Sequence, residues 1–582
     1  MNCLFPSLST AAIRTRRSIA PKYLGLFAFT AVCTAAPAWG AERIYVTYGP
    51  LEESVPIESL ALFAKEGKID SNLDGFAQYA NKAQLAEIRS ALQAKAEISN
   101  VTIAQFLYTP QGEVLLKRLG RVIQTKARQP GFYAIRAALI LAASDSEGLT
   151  ILNVLRKFPT YGIRIDIARG LDIADKLTSL INRSNQAIAG VAQLSEAEAA
   201  SEPAIPPAEM QQPQLPGPYT WKKSSVTVTS PNRPRTFDMD IYLPQGSPQP
   251  APVVVISHGL GSDRISFQYL AKHLASYGFA VAVPEHPGSN AQQIQNLVTG
   301  RAKDVAEPAE FVNRPLDIKD LLDYLTKLSI TDPTYQGQLD LQRVGVIGQS
   351  FGGYTALALA GAGINFAQLD QDCRLDENDT WNLSLLLQCG ARGLERNQYN
   401  FGDPRVKAAI AVNPIVSSIL GETNLSQIKI PVMVVAGSAD TVAPALLEQI
   451  QPFTWLTSPN KYLVLMNNGT HFSTIEDSPQ SVFLPPPQVI GPEPALARRY
   501  LSGLSLAFME SYLNNKSNFR PYLEPSYALS ISRDTLGLRI LRSLTPQQLQ
   551  QFSSAPPPRR PVSPPTLAPV PLPSPLPIAP VR

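Results

Sequence analysis

The stretch that decides the fold is RVGVIGQSFGGYTALALAG, residues 343–361. Its apolar run VGVI predicts a buried strand, and YTALALA has the composition of a helix. The turn between them is Gly-Gln-Ser-Phe-Gly, with Ser350 at its centre. Side chains at Gly348 and Gly352 would collide in a turn sharp enough to lift a hydroxyl above a sheet. The order of strand, turn and helix favours Ser350 as a nucleophile over the alternative that it is one more serine in a turn.

A nucleophilic serine needs a base, and the base needs an orienting acid, in the chain order Ser, acid, His for this kind of turn. The sequence has four histidines, and three of them precede Ser350. The fourth, His471, follows the strand-like KYLVLM and is the predicted base. Asp440 ends the strand-like PVMVVAGSAD and is the predicted acid. Of its competitors, Glu422 ends no strand, and Asp477 is too close to His471 in sequence to reach round the ring.

Acyl transfer also requires N–H donors for the tetrahedral oxyanion. The predicted donors are the backbone amides of Phe351, directly after the nucleophile, and Leu260, in the loop SHGLGSDR after an early strand. Glycines on both sides of Leu260 permit the tight backbone that aims an amide inward. Of the remaining histidines, His258 is expected to be a hydrogen-bonded anchor of this loop. His286 is expected to line the cleft, and His273 to lie exposed on a helix.

Strand-like and helix-like stretches alternate over residues 219–520, where a catalytic domain is predicted. Continuous runs of Val, Ile and Ala without polar alternation, as in PVVVISHG and VKAAIAVNP, are typical of strands buried on both faces. The predicted fold class is therefore α/β, with a mostly parallel central sheet flanked by helices. Residues 364–405 interrupt the alternation and are predicted to form an insertion over the carboxyl ends of the strands, where ligands bind.

The regions on either side of this domain differ from it in composition. Residues 41–197 are rich in Ala, Leu, Ile, Gln and Lys at helical spacing and predict a mainly helical domain of unknown role. We further expect a Pro-rich linker over 198–218, a C-terminal extension over 521–553 and a Pro-rich, disordered tail over 554–582. The helical domain and the insertion could act as a lid or lipid-facing surface, or could simply pack against the catalytic domain.

The first 40 residues have the pattern of a signal peptide. The basic segment TRRSIAPK precedes the apolar run YLGLFAFTAVCTAA, and Ala38-Trp39-Gly40 has small residues at the two positions that a signal peptidase requires. We expect cleavage near Gly40 and a periplasmic or secreted protein. A retained anchor is disfavoured because the run is shorter than the roughly 20 residues that span a bilayer. The basic segment also faintly resembles a twin-arginine signal, although the general secretory route is preferred.

Cysteine usage agrees with export. Cys3 and Cys33 lie in the predicted signal peptide, and the rest of the chain contains only Cys373 and Cys389. In an oxidising compartment this pair predicts a disulfide, with two free thiols as the alternative. No histidine lies nearby, so a metal site is not predicted there. The net charge of only +4 gives no sign of a basic surface for nucleic acid.

Two stretches, ISHGLGSDRISFQYLAKHLASYGFAVAVPEH and GQSFGGYTA, resemble the platelet-activating-factor acetylhydrolase group of α/β-hydrolases. Enzymes of this group cleave short acyl chains from phospholipids without calcium. The resemblance covers residues 219 to about 515. It implies that Ser350 is the nucleophile, His471 the base, and Leu260 and Phe351 the oxyanion donors.

The resemblance leaves the acid open between two positions. In the acetylhydrolase group the acid follows the strand matching KAAIAV, where this chain has Asn413-Pro414. GSADTVAP and THFS are instead similar to bacterial cutinases, polyester hydrolases and dienelactone hydrolases, whose acid stands at the Asp440 position. The N-terminal part of the chain is similar to an uncharacterised domain that precedes such hydrolases in cyanobacteria.

The leading hypothesis is an exported serine esterase that works through an acyl-enzyme, without metal or organic cofactor. Lipid or phospholipid acyl esters are the favoured substrates, with peripheral contact to a lipid surface, and polyesters are an alternative. A second hypothesis is a binding or scaffold protein that retains the hydrolase fold, and a third changes the bond to a thioester or peptide. Acyl length, head group and oligomeric state stay open.

Overall fold

A computed structural model describes residues 40–96, 98–202, 212–247, 250–374, 380, 382–480 and 487–554. Three segments named in the sequence analysis fall outside this range in whole or in large part. They are the predicted signal peptide, the centre of the Pro-rich linker and the Pro-rich tail. None of the described helices combines the length and the apolar character that crossing a membrane requires.

The N-terminal region pairs eight helices with a small four-stranded sheet. The sheet has the order β2-β1-β6-β4, with β1 and β6 parallel and the outer pairs antiparallel. Its strands are β1 (Arg43–Tyr48), β2 (Leu51–Pro56), β4 (Ile123–Thr125) and β6 (Gly162–Asp166), and a two-stranded sheet joins β3 (Lys95–Ala96) to β5 (Leu149–Thr150). The helices are α1 (Ile57–Glu66), α2 (Asp74–Ala77), α3 (Lys82–Gln93), α4 (Asn100–Leu107), α5 (Pro110–Val122), α6 (Phe132–Ser144), α7 (Ile151–Arg156) and α8 (Ile167–Ala200). The helices agree with the expectation from sequence, whereas the sheet was not predicted, because its strands are only three to six residues long.

Helix α8 connects the N-terminal region to the C-terminal part of the chain. It runs for 34 residues from Ile167 and is capped by Asp166, whose side chain accepts a hydrogen bond from the amide of Arg169. The helix continues to Ala200 and so extends into the predicted linker. Glycine at position 190 allows close packing, because a Cβ there would lie 2.3 Å from the ring of Phe552. An ion pair of 2.9 Å between Arg539 and Glu196 joins the same two segments.

The predicted catalytic domain is built on a nine-stranded sheet of order β15-β14-β13-β12-β11-β9-β10-β8-β7. Its strands are β7 (Thr220–Thr229), β8 (Thr236–Gln245), β9 (Ala251–Ser257), β10 (Ala280–Pro284), β11 (Leu339–Gln349), β12 (Val406–Val412), β13 (Val432–Gly437), β14 (Lys461–Met466) and β15 (Leu538–Leu541). The strands from β10 to β14 in this order pair in parallel, and β7, β8 and β15 pair antiparallel at the edges. The predicted mostly parallel sheet is confirmed.

Helices cover both faces of this sheet. The described helices of this part of the chain are α9 (Gln268–Ala275), α10 (Ala291–Val298), α11 (Glu310–Thr331), α12 (Phe351–Leu359), α13 (Phe366–Asp372), α14 (Leu383–Gln388), α15 (Gly421–Leu425), α16 (Gln451–Trp455), α17 (Pro487–Ile490), α18 (Pro494–Tyr512), α19 (Pro525–Ile531) and α20 (Pro546–Ser554). Every residue of β9 and β13 is buried, as expected for strands covered on both faces. Helix α18 packs closely on β11, since a Cβ at Gly345 would lie 2.5 Å from the sulfur of Met509. This packing fixes the strand that leads to Ser350.

The predicted C-terminal extension is part of this sheet, which corrects the domain boundary at residue 520. Strand β15 pairs antiparallel with β14, from Leu463 opposite Leu541 to Met466 opposite Leu538. Leu538, Ile540 and Leu541 are fully buried. A strand of four residues beyond a stretch without clear periodicity is too short to be recognised from sequence alone.

The insertion after α12 contains α13 and α14, joined by a disulfide between Cys373 and Cys389 with a Cα–Cα distance of 5.5 Å. The predicted pairing is thus present in the structure. The side chain of Gln388 accepts hydrogen bonds from the amides of Ser418 and Ile419, in the loop after β12, at 2.9 and 3.0 Å. These contacts hold the base of the insertion at the carboxyl ends of the strands.

Because three histidines are buried, we expect the protein to lose stability in mild acid. Burial lowers the pKa of His273 to about 4, and burial with the nearby charge of Arg314 lowers the pKa of His258 and His286 well below the ordinary value. Below about pH 6.5 the unfolded chain takes up protons that the folded chain excludes, so the free energy of unfolding falls with pH. We expect a loss of up to about 1.4 kcal/mol per pH unit for each histidine, measured by urea unfolding between pH 7 and 5. His273→Gln should make this dependence shallower, and an unchanged slope would contradict the assignment for His273.

Candidate active site

Ser350 occupies a strained turn between β11 and α12. Its backbone has φ 56° and ψ −115°, a left-handed conformation that residues with a side chain rarely adopt. The amide of Ser350 donates to Val412 O at 2.8 Å, and its carbonyl accepts from the amide of Tyr354 at 3.1 Å. Only 6% of the residue is exposed. The neighbouring strand and the first turn of the helix therefore hold the serine in a conformation that is costly by itself.

The two glycines of the turn are needed for the reason that the sequence analysis gave. A Cβ at Gly348 would lie 1.9 Å from the carbonyl oxygen of Gly352. A Cβ at Gly352 would lie 2.0 Å from the carbonyl oxygen of Ser257, at the end of β9. Side chains at either position would collide with backbone atoms, so this turn requires the Gly-x-Ser-x-Gly pattern.

Asp440 and His471 form a hydrogen-bonded pair at the carboxyl ends of β13 and β14. His471 Nδ1 lies 2.7 Å from Asp440 Oδ2, and both side chains are buried. The other carboxylate oxygen accepts hydrogen bonds from the amides of Val442 and Ala443 at 2.9 and 2.7 Å. The competing carboxylates Glu422 and Asp477 are exposed. The structure thus brings together the predicted base and the predicted acid.

Two polar side chains that the sequence analysis did not assign position this pair. Asn413 Nδ2 donates to Asp440 Oδ2 at 2.6 Å, and Asn413 itself has φ 45° at the end of β12. Gln349, directly before the nucleophile, donates to the backbone carbonyl of His471 at 3.0 Å. Asn413 stands where the acetylhydrolase group has its acid, and this correspondence was the one sequence signal for a role at the site. Gln349 had no signal beyond its place in the turn.

The Gln349 side chain links the Ser350 turn to the backbone of His471, but within the described residues no hydrogen bond joins the serine hydroxyl to the imidazole. Such contacts are often long in an enzyme without substrate and shorten in the reacting complex. The assignment of Ser350 as the nucleophile therefore stays a prediction, supported by its conformation and its neighbours.

One predicted oxyanion donor, Phe351, lies directly after Ser350, and the other, Leu260, lies in the loop after β9. The amide of Phe351 begins α12, and Leu260 follows β9 in a loop where Gly261 has φ 70°. A Cβ at Gly259 would lie 2.3 Å from Gln349 Oε1, so this loop approaches the nucleophile turn closely. Among the described residues, no hydrogen bond from the Phe351 or the Leu260 amide is present, and their role as oxyanion donors stays a prediction.

The remaining histidines differ in part from expectation. His258 is a loop anchor as predicted, since its ring binds Gly259 O at 2.8 Å and accepts from the amide of His286 at 3.1 Å. His273 was expected to be exposed, but it is only 9% exposed because it faces the core side of α9. His286 was expected to line the cleft, but it is fully buried and lies 3.1 Å from Asp317.

A second Ser-His-Asp arrangement results from the burial of His286. Its Nε2 lies 3.0 Å from Ser257 Oγ, and its Nδ1 lies 3.1 Å from Asp317 Oδ2. All three residues are fully buried, so no substrate can reach this serine. Hydrogen bonding alone therefore does not identify a catalytic triad, and access to the serine must be considered as well. Among the described residues, no cluster of three or more His, Cys, Asp or Glu side chains is arranged to hold a metal ion.

Comparison with known proteins adds two family matches. Residues 40–166 match a family described as alpha/beta hydrolase of unknown function, and residues 237–315 match platelet-activating factor acetylhydrolase, isoform II. The second match covers the strands and loop that lead to Leu260. The chain has the α/β-hydrolase fold. The first match covers the N-terminal region, which precedes the nine-stranded sheet and for which the sequence indicated no chemistry.

Individual relatives match only parts of this hydrolase. It is 33% identical over 121 residues to the hydrolyase poxO of Penicillium oxalicum, covering 21% of the chain and 26% of that relative. It is 28% identical to the platelet-activating factor acetylhydrolase of Cavia porcellus, covering 18% of the chain and 31% of that relative. The matched stretches thus span about a quarter to a third of these relatives. These matches support the assignment of the chain as a hydrolase, and they do not identify the bond that it cleaves.

Proposed function

We propose that the protein is an exported serine hydrolase that cleaves carboxylic esters, with Ser350 as nucleophile, His471 as base and Asp440 as acid. The observation that carries the proposal is the 2.7 Å contact between His471 and Asp440 beside the strained turn of Ser350. The disulfide between Cys373 and Cys389 supports export, because disulfides persist in oxidising compartments.

In the first half of the reaction, Ser350 Oγ attacks the ester carbonyl while His471 Nε2 takes its proton. Asp440 orients the imidazole through Nδ1 and stabilises the imidazolium that forms. Its carboxylate is held by the amides of Val442 and Ala443, so the acid needs little reorganisation. The tetrahedral oxyanion would accept from the amides of Phe351 and Leu260. The imidazolium then protonates the leaving alcohol, which departs and leaves an acyl-serine.

In the second half, His471 takes a proton from water, and the hydroxide attacks the acyl carbonyl. The same amides stabilise the second tetrahedral oxyanion. Collapse returns the proton to Ser350 Oγ and releases the carboxylic acid. Each step uses groups of this chain and water, and no cofactor enters the proposal.

Lipid or phospholipid acyl esters are the proposed substrates. The match to platelet-activating factor acetylhydrolase over residues 237–315 supports this class. The N-terminal region also exposes large apolar side chains, with Tyr133 at 77%, Tyr108 at 61% and Leu141 at 49% exposure. Where exposed apolar side chains form a contiguous patch, such a patch is typical of surfaces that contact lipid or protein. Peripheral contact with a lipid surface is therefore part of the proposal.

The experiment that tests this function is the hydrolysis of p-nitrophenyl esters from acetate to palmitate by the chain from Ala41. We expect activity, with the highest kcat/KM at short acyl chains if the enzyme acts as the acetylhydrolase match suggests. An optimum at long chains would indicate a lipase, and release of acid from a polyester film would indicate a cutinase-like enzyme. The absence of hydrolysis for every ester would contradict the proposal and favour a binding protein that retains the fold.

A further inference from the structure

A buried arginine binds the loop that carries one of the predicted oxyanion donors. Arg314 lies on α11, and its side chain is fully buried. Its guanidinium donates to His258 O at 2.6 Å and to Gly259 O at 3.3 Å. The ring of His258 contacts the same Gly259 carbonyl at 2.8 Å. Two side chains therefore converge on one backbone carbonyl.

The carbonyl that these side chains hold belongs to the peptide group of the predicted donor. Gly259 C=O and Leu260 N–H are parts of one planar unit, and in a trans peptide they point in opposite directions. Holding the carbonyl on the side of Arg314 therefore directs the Leu260 N–H away from Arg314. A hydrogen bond to the carbonyl also polarises the N–H of the same peptide and makes it a better donor.

Arg314 also holds the loop at a second point. Its Nε donates to Ser289 Oγ at 2.9 Å, and its Nη2 contacts Ser289 O at 3.4 Å. The amide of Gly261 donates to the same Ser289 carbonyl at 2.8 Å. The residues on both sides of Leu260 are therefore fixed, one directly by Arg314 and one through Ser289.

The same guanidinium contacts the second half of the predicted oxyanion site. Its central carbon lies 4.4 Å from the centroid of the Phe351 ring, and Phe351 supplies the other predicted donor amide. Stacking of a planar guanidinium on an aromatic ring is favourable and specific to arginine. One side chain thus contacts the loop after β9 and the first residue of α12.

Neighbouring charges compensate for the burial of this cation. Glu310 and Asp317 lie on the same helix, and Glu285 lies in the loop after β10. Arg235, directly before β8, pairs with both helix carboxylates at 2.7–2.8 Å. Burial lowers the pKa of Arg314 to about 9, and Glu310 and Asp317 oppose the shift. The neutral His258 and His286 complete its surroundings. The guanidinium is therefore positively charged at neutral pH.

The geometry points to Arg314 as a positioning residue of the oxyanion site, which aims the Leu260 amide and keeps it aligned with the Phe351 amide. This inference rests on the proposed function. The role is specific to arginine, because only a residue with several donors in a fixed plane binds two successive carbonyls and an aromatic face together.

Two variants test the inference. Arg314→Lys keeps the charge and loses the planar donor set, and Arg314→Gln loses both. We expect kcat for p-nitrophenyl acetate to fall about 10-fold in Arg314→Lys and about 100-fold in Arg314→Gln, with KM changed less than about 3-fold. This pattern is expected because the oxyanion exists only after attack, so its donors affect the reacting state and not ester binding.

Arg233→Gln is the matched control. Arg233 belongs to the same buried ion cluster and pairs with Asp317 at 3.0 Å, but its hydrogen bonds go to α11 and none to the loop after β9. We expect kcat within about 2-fold of the wild type for this control. The melting temperatures of all variants distinguish a loss of folding from a loss at the site alone. If Arg314→Gln does not fold, the kcat of Arg314→Lys tests the inference.

Amide hydrogen exchange supplies a measurement that is independent of ester hydrolysis. Without Arg314, the amides of Gly261 and Ser262 should exchange at least about 10-fold faster, while those of β12 stay unchanged. Faster loop exchange in a protein whose wild type hydrolyses no ester would show that Arg314 orders this loop, but it would refute the proposed function and with it the role at an oxyanion site. Ser350-dependent hydrolysis with wild-type kcat and wild-type loop exchange in both Arg314 variants would overturn the inference.

Discussion

Ester hydrolysis is expected to disappear in Ser350→Ala, with kcat reduced about 10⁴- to 10⁶-fold and the melting temperature within about 2 °C of the wild type. The reaction stops because alanine has no oxygen to attack the ester. The fold is preserved because alanine keeps the Cβ, and the backbone hydrogen bonds of the turn to Val412 and Tyr354 are unaffected. The measurement is hydrolysis of p-nitrophenyl acetate together with thermal unfolding of both proteins.

The buried Ser257 offers the matched control for this prediction. It also contacts a histidine that contacts an aspartate, but it is inaccessible to substrate. Ser257→Ala should retain Ser350-dependent hydrolysis, with some loss of stability because His286 loses a partner. Loss of activity in Ser257→Ala with full activity in Ser350→Ala would reverse the assignment of the nucleophile.

A second large effect is expected for Asp440→Asn, with kcat reduced about 10³- to 10⁴-fold. The carboxylate oxygen Oδ1 accepts from the amides of Val442 and Ala443, so the new amide nitrogen must take the position of Oδ2. There it meets the Asn413 amide, which is also a donor, and forces His471 to place its proton on Nε2. In that tautomer the imidazole cannot accept the proton of Ser350.

Asp477→Asn is the control for the choice of acid. Asp477 is exposed, and a neutral residue there should change kcat less than about 2-fold. Steady-state hydrolysis and the melting temperature of both variants are the required measurements. A strong loss in Asp477→Asn with full activity in Asp440→Asn would move the acid to Asp477.

The turn of Ser350 and the pair of Asp440 and His471 could be predicted because each depends on local pattern and chain order. Apolar runs identify the parallel strands, and strand ends on one edge of a sheet bring distant residues together. Asp440 and His471 both follow such runs, and they form a pair in the structure. The fold class could be predicted for the same reason, since the buried strands are long and almost wholly apolar.

The burial of His273 and His286 could not be predicted from the local sequence pattern. His286 is buried because Asp317, 31 residues further along the chain, and Ser257 provide its hydrogen bonds. Whether a polar side chain is buried depends on such distant partners, and one sequence does not reveal them. Arg314 was missed for the same reason, because its carbonyl acceptors come from a loop about 55 residues earlier.

Asn413 shows a further limit of resemblance. The acetylhydrolase group predicts an acid at this position, and the chain has an amide there that donates to the acid on the next strand. Sequence comparison could indicate that the position is close to the base. It could not indicate that the residue is a hydrogen-bond donor to Asp440, because that depends on the 2.6 Å approach of two loops.

Strand β15 has a consequence for how the chain is made. All three proposed triad residues are synthesised before Leu538, so a growing polypeptide holds Ser350, Asp440 and His471 while the outer edge of β14 is still open. That edge consists of buried apolar residues, and an open apolar edge is a template for pairing with other chains. Helix α8 is synthesised much earlier, but it packs against β15 and the helices α19 and α20, so these contacts form only after the C-terminal segment has been synthesised. The catalytic sheet is therefore completed late in synthesis, and a fragment that stops at residue 520 would carry the chemistry on an aggregation-prone sheet.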